Sequence, residues 1–254
     1  MQFEDFKGKI ILSADVTLDE VLSLVSQDRF PRDEVAVKLD RLFLTRYGLN
    51  AIDKVQSCGV PVFADAKIVE IPSKTMGIVD QHLEYRPWML NVMAGIASTG
   101  ITPQEVGVDE QQYDALFHFA KRCAEAGTKS CIVTVLTSKS PGLVQNEYRT
   151  DVGQAVLGYV ELGLACGITD IVCAPTDIAF IRQQISLEQY DYCLNTPGVR
   201  LPTSSKDDQQ RVMSPSKALQ AGADRLVIGR DLTKGDFFEN FARIKADIDQ
   251  HLQT

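Results

Sequence analysis

The chain has 254 residues, with 26 lysines and arginines against 34 aspartates and glutamates, a formal net charge of −8. At 44% hydrophobic and 24% charged it has the make-up of an ordinary globular protein with ample apolar material for a core. The acidic balance argues against general nucleic-acid binding, which needs a surplus of cations, and no run of about 18 apolar residues exists to span a membrane. A small phosphorylated ligand stays open, since one or two well-placed cations suffice for it.

In chain order, short runs rich in apolar and β-branched residues predict strands at 10–14, 35–39, 60–66, 88–93, 130–136, 170–173, 192–195 and 225–228. Between them, apolar residues at three- and four-residue steps predict helices, as at 18–26, 113–126, 153–166 and 215–221. Segment 231–254 reads as a closing helix with a solvated acidic face. Strands that are nearly all apolar and separated by helices indicate parallel pairing covered by helices. Eight such units in a chain of this length predict a single (β/α)8 TIM barrel over residues 1–254 as one domain.

The remaining composition narrows the chemistry. The six cysteines are widely spread, with no C-x-x-C pair, which suits reduced thiols in a cytoplasmic protein better than a disulfide framework or a zinc site. Three histidines leave little material for a histidine-based metal site or triad. The N-terminal nine residues mix charges of both signs and lack the apolar heart of a signal peptide. Neither nucleotide-binding glycine fingerprint occurs.

In a barrel of this kind chemistry belongs at the carboxyl ends of the strands, and polar residues do gather where the apolar runs end. Asp15 follows the first run, Lys38 ends the second, Asp65 and Lys67 end the third, and Thr137 follows the fifth. Arg200 follows the seventh and Arg230 the eighth. The segment 62–72, VFADAKIVEIP, carries most information. Asp65 and Lys67 are two apart and project to one face of a strand, and Glu70 stands where the chain leaves it. With Lys38 they form a possible alternation of two ammonium and two carboxylate groups, able to hold a carboxylate against a substrate while a lysine stays charged as proton donor. Taken alone, a D-x-K pair is more often a salt-bridged rim, since charged pairs are common and usually solvated.

The segment VFADAKIVEIP resembles the D-x-K-x-x-D-I-P signature of the orotidine 5′-monophosphate decarboxylase family. A longer match, TPGVRLPTSSKDDQQRVMSPSKALQAGADRLVIGRDLT at 196–233, resembles that family's phosphate-binding region. The runs VAVKLDRLF and VTVLTS also follow the family, so the resemblance extends in patches over nearly the whole chain. It implies that Asp15 and Lys38 contact the ribose hydroxyls, that Asp65 faces the carboxylate to be lost, and that Lys67 protonates the ring carbon left behind. It further implies that Ser140 bonds the pyrimidine edge and that Gln209 and Arg230, with the backbone N–H groups of Gly229 and Arg230, hold the phosphate. A Gly-Arg pair at a strand end leading into a short helix suits anion capture on physical grounds as well.

The family uses no metal and no organic cofactor. Magnesium-binding relatives of the superfamily place a glutamate at the end of strand two, where this chain has Lys38, a cation in a ligand's place. Four positions depart from the family pattern. Glu70 replaces the last signature aspartate, which in the family reaches across a dimer interface into the partner's site; Lys74 replaces a threonine; Met93 replaces a histidine; and Leu201 stands where the family has proline, with Pro202 displaced by one in the loop that grips pyrimidine and phosphate. The implied function is metal-free decarboxylation of orotidine 5′-monophosphate to uridine 5′-monophosphate in pyrimidine biosynthesis, by a homodimer with no nucleic-acid or membrane partner. The alternatives are a same-superfamily enzyme with another phosphorylated substrate and a non-catalytic nucleotide-binding paralogue.

Overall fold

A computed structural model of the chain describes residues 10–96, 110–201 and 212–252. The first half runs β1 (Ile10–Ser13), α1 (Leu18–Val25), β2 (Val35–Asp40), α2 (Arg41–Tyr47), α3 (Ala51–Gln56), β3 (Val62–Ile68), α4 (Pro72–Leu83) and β4 (Met89–Met93). The middle comprises α5 (Glu110–Ala126), β5 (Lys129–Val133), α6 (Pro141–Tyr148), α7 (Val152–Ala165), β6 (Asp170–Val172) and α8 (Ile178–Gln184). The chain then forms β7 (Cys193–Thr196), α9 (Pro215–Gln220), β8 (Arg225–Ile228), α10 (Arg230–Thr233) and α11 (Phe237–Leu252). All neighbouring strands pair in parallel and in sequence order, and β1 closes on β8. This is the (β/α)8 barrel that the eight apolar runs predict.

Local chemistry sets the element boundaries. Thr17 caps α1 in a reciprocal box with Glu20, while Ser140 and Ser214 cap α6 and α9, each followed by proline at the first helical position. The predicted fifth strand ends early, at Val133 rather than 136, although the Thr134 N–H still reaches the Val172 carbonyl at 3.1 Å. The predicted seventh strand loses Tyr192, whose hydroxyl instead donates to the Ile185 carbonyl at 3.0 Å. The predicted closing helix divides at residues 234–236, where Gly235 takes φ 86 and Asp236 accepts the Phe238 and Glu239 N–H groups at the start of α11.

The core has two compartments. Between strands and helices lies an outer layer of Val, Ile and Leu; inside the barrel, Ile11, Ala36, Phe63, Met89, Cys131 and Val227 pack with Trp88 as a separate cluster. Below them Arg225 donates to Asp170 at 2.6 Å and to Asn195 at 3.1 Å, and its guanidinium lies 5.2 Å from the Trp88 ring centre. This buried polar plug sits at the amino-terminal face, where it serves stability. Because strand side chains alternate, stepping two residues up from the interior cluster gives Ser13, Lys38, Asp65, Asn91, Val133 and Gly229. The barrel's own periodicity thus stacks a polar layer above the apolar one.

All six cysteines carry thiols, and burial pushes Cys166 up to about 12 and Cys131 well above the usual thiol range. A thiol reagent is therefore expected to label half-buried Cys58 first in the native protein, with Cys123, Cys131 and Cys166 reacting only on unfolding. Mass spectrometry of partially labelled protein checks the order. Among the described residues no helix is long and apolar enough to cross a membrane.

Candidate active site

The polar layer opens into a cavity of about 260 Å³ at the carboxyl ends of the strands, floored by Phe63, Val133 and Val172. At its centre one carboxylate receives three donors. Lys38 Nζ donates to Asp65 Oδ2 at 2.7 Å, Lys67 Nζ to Oδ1 at 2.5 Å, and the Asn91 side-chain amide to Oδ1 at 2.6 Å. Lys38 and Asp65 are buried, whereas the Lys67 side chain keeps 36% exposure toward the cavity. Burial alone would push Asp65 upward, but Lys38 and Lys67 together outweigh it and hold the carboxyl below the ordinary carboxylate range. Burial likewise opposes charge on Lys38, and Asp65, with Asp40 and Asp15 behind it, overcomes that and holds the ammonium above the ordinary lysine range.

The predicted same-face geometry of Asp65 and Lys67 is reached by a different route from a regular strand. Lys67 has φ 43, in the left-handed region that a lysine seldom occupies, and the β3–β4 register shifts between Ala64 and Ile68. The backbone turns there, and the lysine folds back onto the carboxylate two residues earlier.

Opposite this cluster, Arg200, Gly229 and Arg230 line the same cavity, as do Asp15 and Asp40 on the β1–β2 side. Arg200 is 9% exposed; one of its terminal nitrogens donates to the Val199 carbonyl at 2.9 Å, and its Nε has no hydrogen-bond partner among the described residues. A Cβ at Gly229 would lie 2.6 Å from Asp15 Oδ2, so a side chain there would push that carboxylate aside. Gly229→Ala is expected to displace Asp15 and raise the KM of a ligand held by it roughly tenfold, the scale of one hydrogen bond to a charged group. Steady-state kinetics beside an unchanged melting temperature would check this.

Two other predicted residues stand elsewhere. Glu70 is exposed and does not join the Asp65 cluster within its own chain; its carboxylate accepts the Ile71 N–H at 3.0 Å. It borders a separate cavity with Arg41 and His82, beside the exposed side chains of Leu42, Val69 and Ile71. Ser140 is exposed, caps α6 by accepting the Leu143 N–H at 3.3 Å, and is not among the residues lining the central cavity, which its loop enters through Leu136 and Thr137. Pro202 and Gln209 lie outside the described residues. Of the departures, Lys74 is exposed, Met93 lines a neighbouring cavity that also meets Lys67, and Leu201 is fixed by its N–H donating to Asp231 Oδ2 at 2.7 Å.

Sequence reasoning missed Asn91 and gave Arg200 no role beyond its place after a strand. The signal for Asn91 was present: a lone amide inside the run MLNVM, at the same step from the interior cluster as Lys38 and Asp65. Among the described residues no group of three or more His, Cys, Asp or Glu side chains could hold a metal.

Fold and site define a (β/α)8 barrel whose mouth holds a lysine–aspartate–lysine cluster facing two arginines. The profile of the Orotidine 5′-phosphate decarboxylase / HUMPS family matches residues 8–236. An orotidine 5′-phosphate decarboxylase of Coxiella burnetii is 32% identical over 199 residues, covering 78% of each chain. One of Actinobacillus succinogenes is 30% identical over 251 residues, covering 96% of this chain and 98% of the relative. In fold, the crystal structure of orotidine 5′-phosphate decarboxylase from Lactobacillus acidophilus superposes with a TM-score of 0.72 at 24% identity, covering 95% of this chain and 99% of that one. The chain belongs to the Orotidine 5′-phosphate decarboxylase / HUMPS family.

Proposed function

We propose that this protein decarboxylates orotidine 5′-monophosphate to uridine 5′-monophosphate, the carbon dioxide-releasing step of pyrimidine biosynthesis. The observation that carries the reading is the Lys38–Asp65–Lys67 array at the barrel mouth, with Asp65 held as an anion and Lys67 beside it. Asp65 faces the substrate carboxylate and disfavours it where it is bound. The C–C bond breaks, carbon dioxide leaves, and the electron pair stays on the ring carbon. Lys67 delivers a proton from Nζ to that carbon and recovers it from solvent. The neighbouring ammonium also stabilises the developing negative charge.

Binding energy is drawn from the far side of the nucleotide. Arg230, Gln209 and the N–H groups of Gly229 and Arg230 hold the phosphate; Arg200, buried and with its Nε unpartnered among the described residues, adds a second guanidinium. Asp15 and Lys38 take the ribose, and Ser140 reaches the pyrimidine when its loop closes. The reading assigns no metal to the site: both Asp65 oxygens are already engaged by nitrogen donors, and Lys38 stands where a metal-using relative needs an anion.

The same reading includes a cytoplasmic homodimer in which Glu70 enters the partner's site. Its support is that the Glu70 carboxylate bonds the Ile71 N–H rather than its own cluster, and that its neighbour Ile71 leaves an apolar side chain 60% exposed. The test of the chemistry is turnover in deuterium oxide. The reading expects uridine 5′-monophosphate with deuterium at the former carboxyl carbon, formed equally well with chelator; turnover that requires added magnesium would contradict it.

A further inference from the structure

The β3–β4 ladder pairs Ala64 with Leu90 and next pairs Ile68 with Val92. Three residues on β3, 65–67, therefore face one on β4, Asn91, and such a bulge leaves backbone groups without ladder partners. A side chain supplies the missing partner. The Lys67 N–H donates to Asn91 Oδ1 at 2.8 Å, and the other end of the same amide donates to Asp65 Oδ1 at 2.6 Å. An asparagine offers one accepting and one donating end, and both ends here are used on the two residues that do the chemistry. Asn91 is 0% exposed, so water does not compete for either bond.

The consequence is geometric. In a regular strand, Lys67 would stand about 6.6 Å further along the strand than Asp65. The left-handed turn at Lys67 brings Nζ back to 2.5 Å from the Asp65 carboxylate. A strained backbone of this kind persists only where its surroundings enforce it, and the Asn91 amide is the group bonded to that peptide. The amide also adds a neutral donor to the anionic form of Asp65.

We infer that Asn91 is a positioning residue for the decarboxylation: its amide pins the bulge that folds Lys67 onto Asp65 and holds the carboxylate in place. The catalytic half of this inference rests on the decarboxylase reading; the geometric half does not. Other groups facing Asp65 are Lys38 from β2, Lys67 from its own strand and the Cys131 thiol from β5, with Asp15 and Asp40 beyond Lys38 and Asp170 and Arg225 beyond Cys131. None of these bonds both the peptide of residue 67 and the carboxylate of residue 65.

Two substitutions test it. Asn91→Leu keeps the branched shape and removes both bonds; Asn91→Asp keeps the acceptor and sets a second acid against Asp65. Both are expected to lower kcat about a hundredfold, the scale of an ångström's misplacement, while affinity for uridine 5′-monophosphate is little changed. In Asn91→Asp the acid limb of the kcat profile moves to higher pH, because two adjacent carboxyls do not both ionise readily. A role limited to folding would lower activity and ligand binding together. If Asn91→Leu does not fold, Asn91→Asp carries the test alone. Carbon-13 titration of the Asp65 carboxyl gives a readout independent of turnover. A midpoint raised in Asn91→Leu supports the positioning role even if orotidine 5′-monophosphate proves not to be the substrate; an unchanged midpoint there, or an unchanged kcat, overturns it.

Discussion

Lys67→Ala is expected to lower decarboxylation about 10²- to 10⁴-fold, the range a positioned general acid contributes, with binding of uridine 5′-monophosphate largely kept. The split follows from the layout of the cavity. Lys67 stands on the β3 side, and the residues proposed to grip phosphate and ribose come from β1, β2, β7, β8 and the loops beyond them. Removing the ammonium takes away the proton and the charge opposite the developing carbanion, both of which act on the reacting carbon alone. Lys67 contributes modestly to stability, since its side chain already meets solvent. Comparing kcat with the dissociation constant for the product checks the prediction; turnover near that of the unmodified protein would remove Lys67 from its role.

Asp65→Asn is expected to abolish turnover and to destabilise the protein by about 3–5 kcal/mol, the usual cost of stripping a buried charge of its partner. The amide is nearly isosteric, so the loss is electrostatic: Lys38, 9% exposed, is left without its counter-ion and gives up its proton rather than stay charged there. The double variant Asp65→Leu with Lys38→Met is expected to regain part of the stability and none of the activity: an apolar pair replaces the buried ion pair, but the buried Asn91 amide loses its acceptor.

The pH dependence carries a defined sign. Asp65 is lowered in the folded protein, so its contribution is present above the unfolded value of about 3.9 and is lost as pH falls through the folded one. Lys38 is raised, so its contribution is present below about 10.4 and is lost as pH rises through the folded value above that. Between those limits the pair's contribution in the unmodified protein is flat, and the gap to Asp65→Asn narrows as pH rises toward about 10.4, because the variant's neutral Lys38 must release a proton on folding. Urea midpoints across pH check both ends.

The barrel was legible in the sequence because its strands are buried on both faces and therefore read as continuous apolar runs. Their ends were less so. Nothing in 130–136 marks where pairing stops, and Val135 and Leu136 read as strand while serving as cavity wall. At the site, the charges stood out because each interrupts or terminates an apolar run. The route by which Asp65 and Lys67 meet did not, since a two-residue spacing implies a regular strand and carries no trace of a bulge. Asn91 was hidden for a related reason: one amide in an apolar run has no partner in sequence, and its two bonds cross to another strand. Ser140 shows the reverse hazard, because the same hydroxyl that suits a ligand also suits a helix cap before proline. Glu70 lies where spacing says little, just beyond the strand, and its carboxylate bonds the Ile71 N–H instead of joining the Asp65 cluster.

The most direct measurement is the ultraviolet absorbance of orotidine 5′-monophosphate incubated with purified protein and chelator, run beside Lys67→Ala. Decay with the unmodified protein that disappears in the variant is the predicted result, and it would also show that Glu70 and Lys74 are compatible with turnover. An unchanging spectrum, with uridine 5′-monophosphate still bound, would contradict the decarboxylase reading and leave a barrel that retains the ligand without the chemistry.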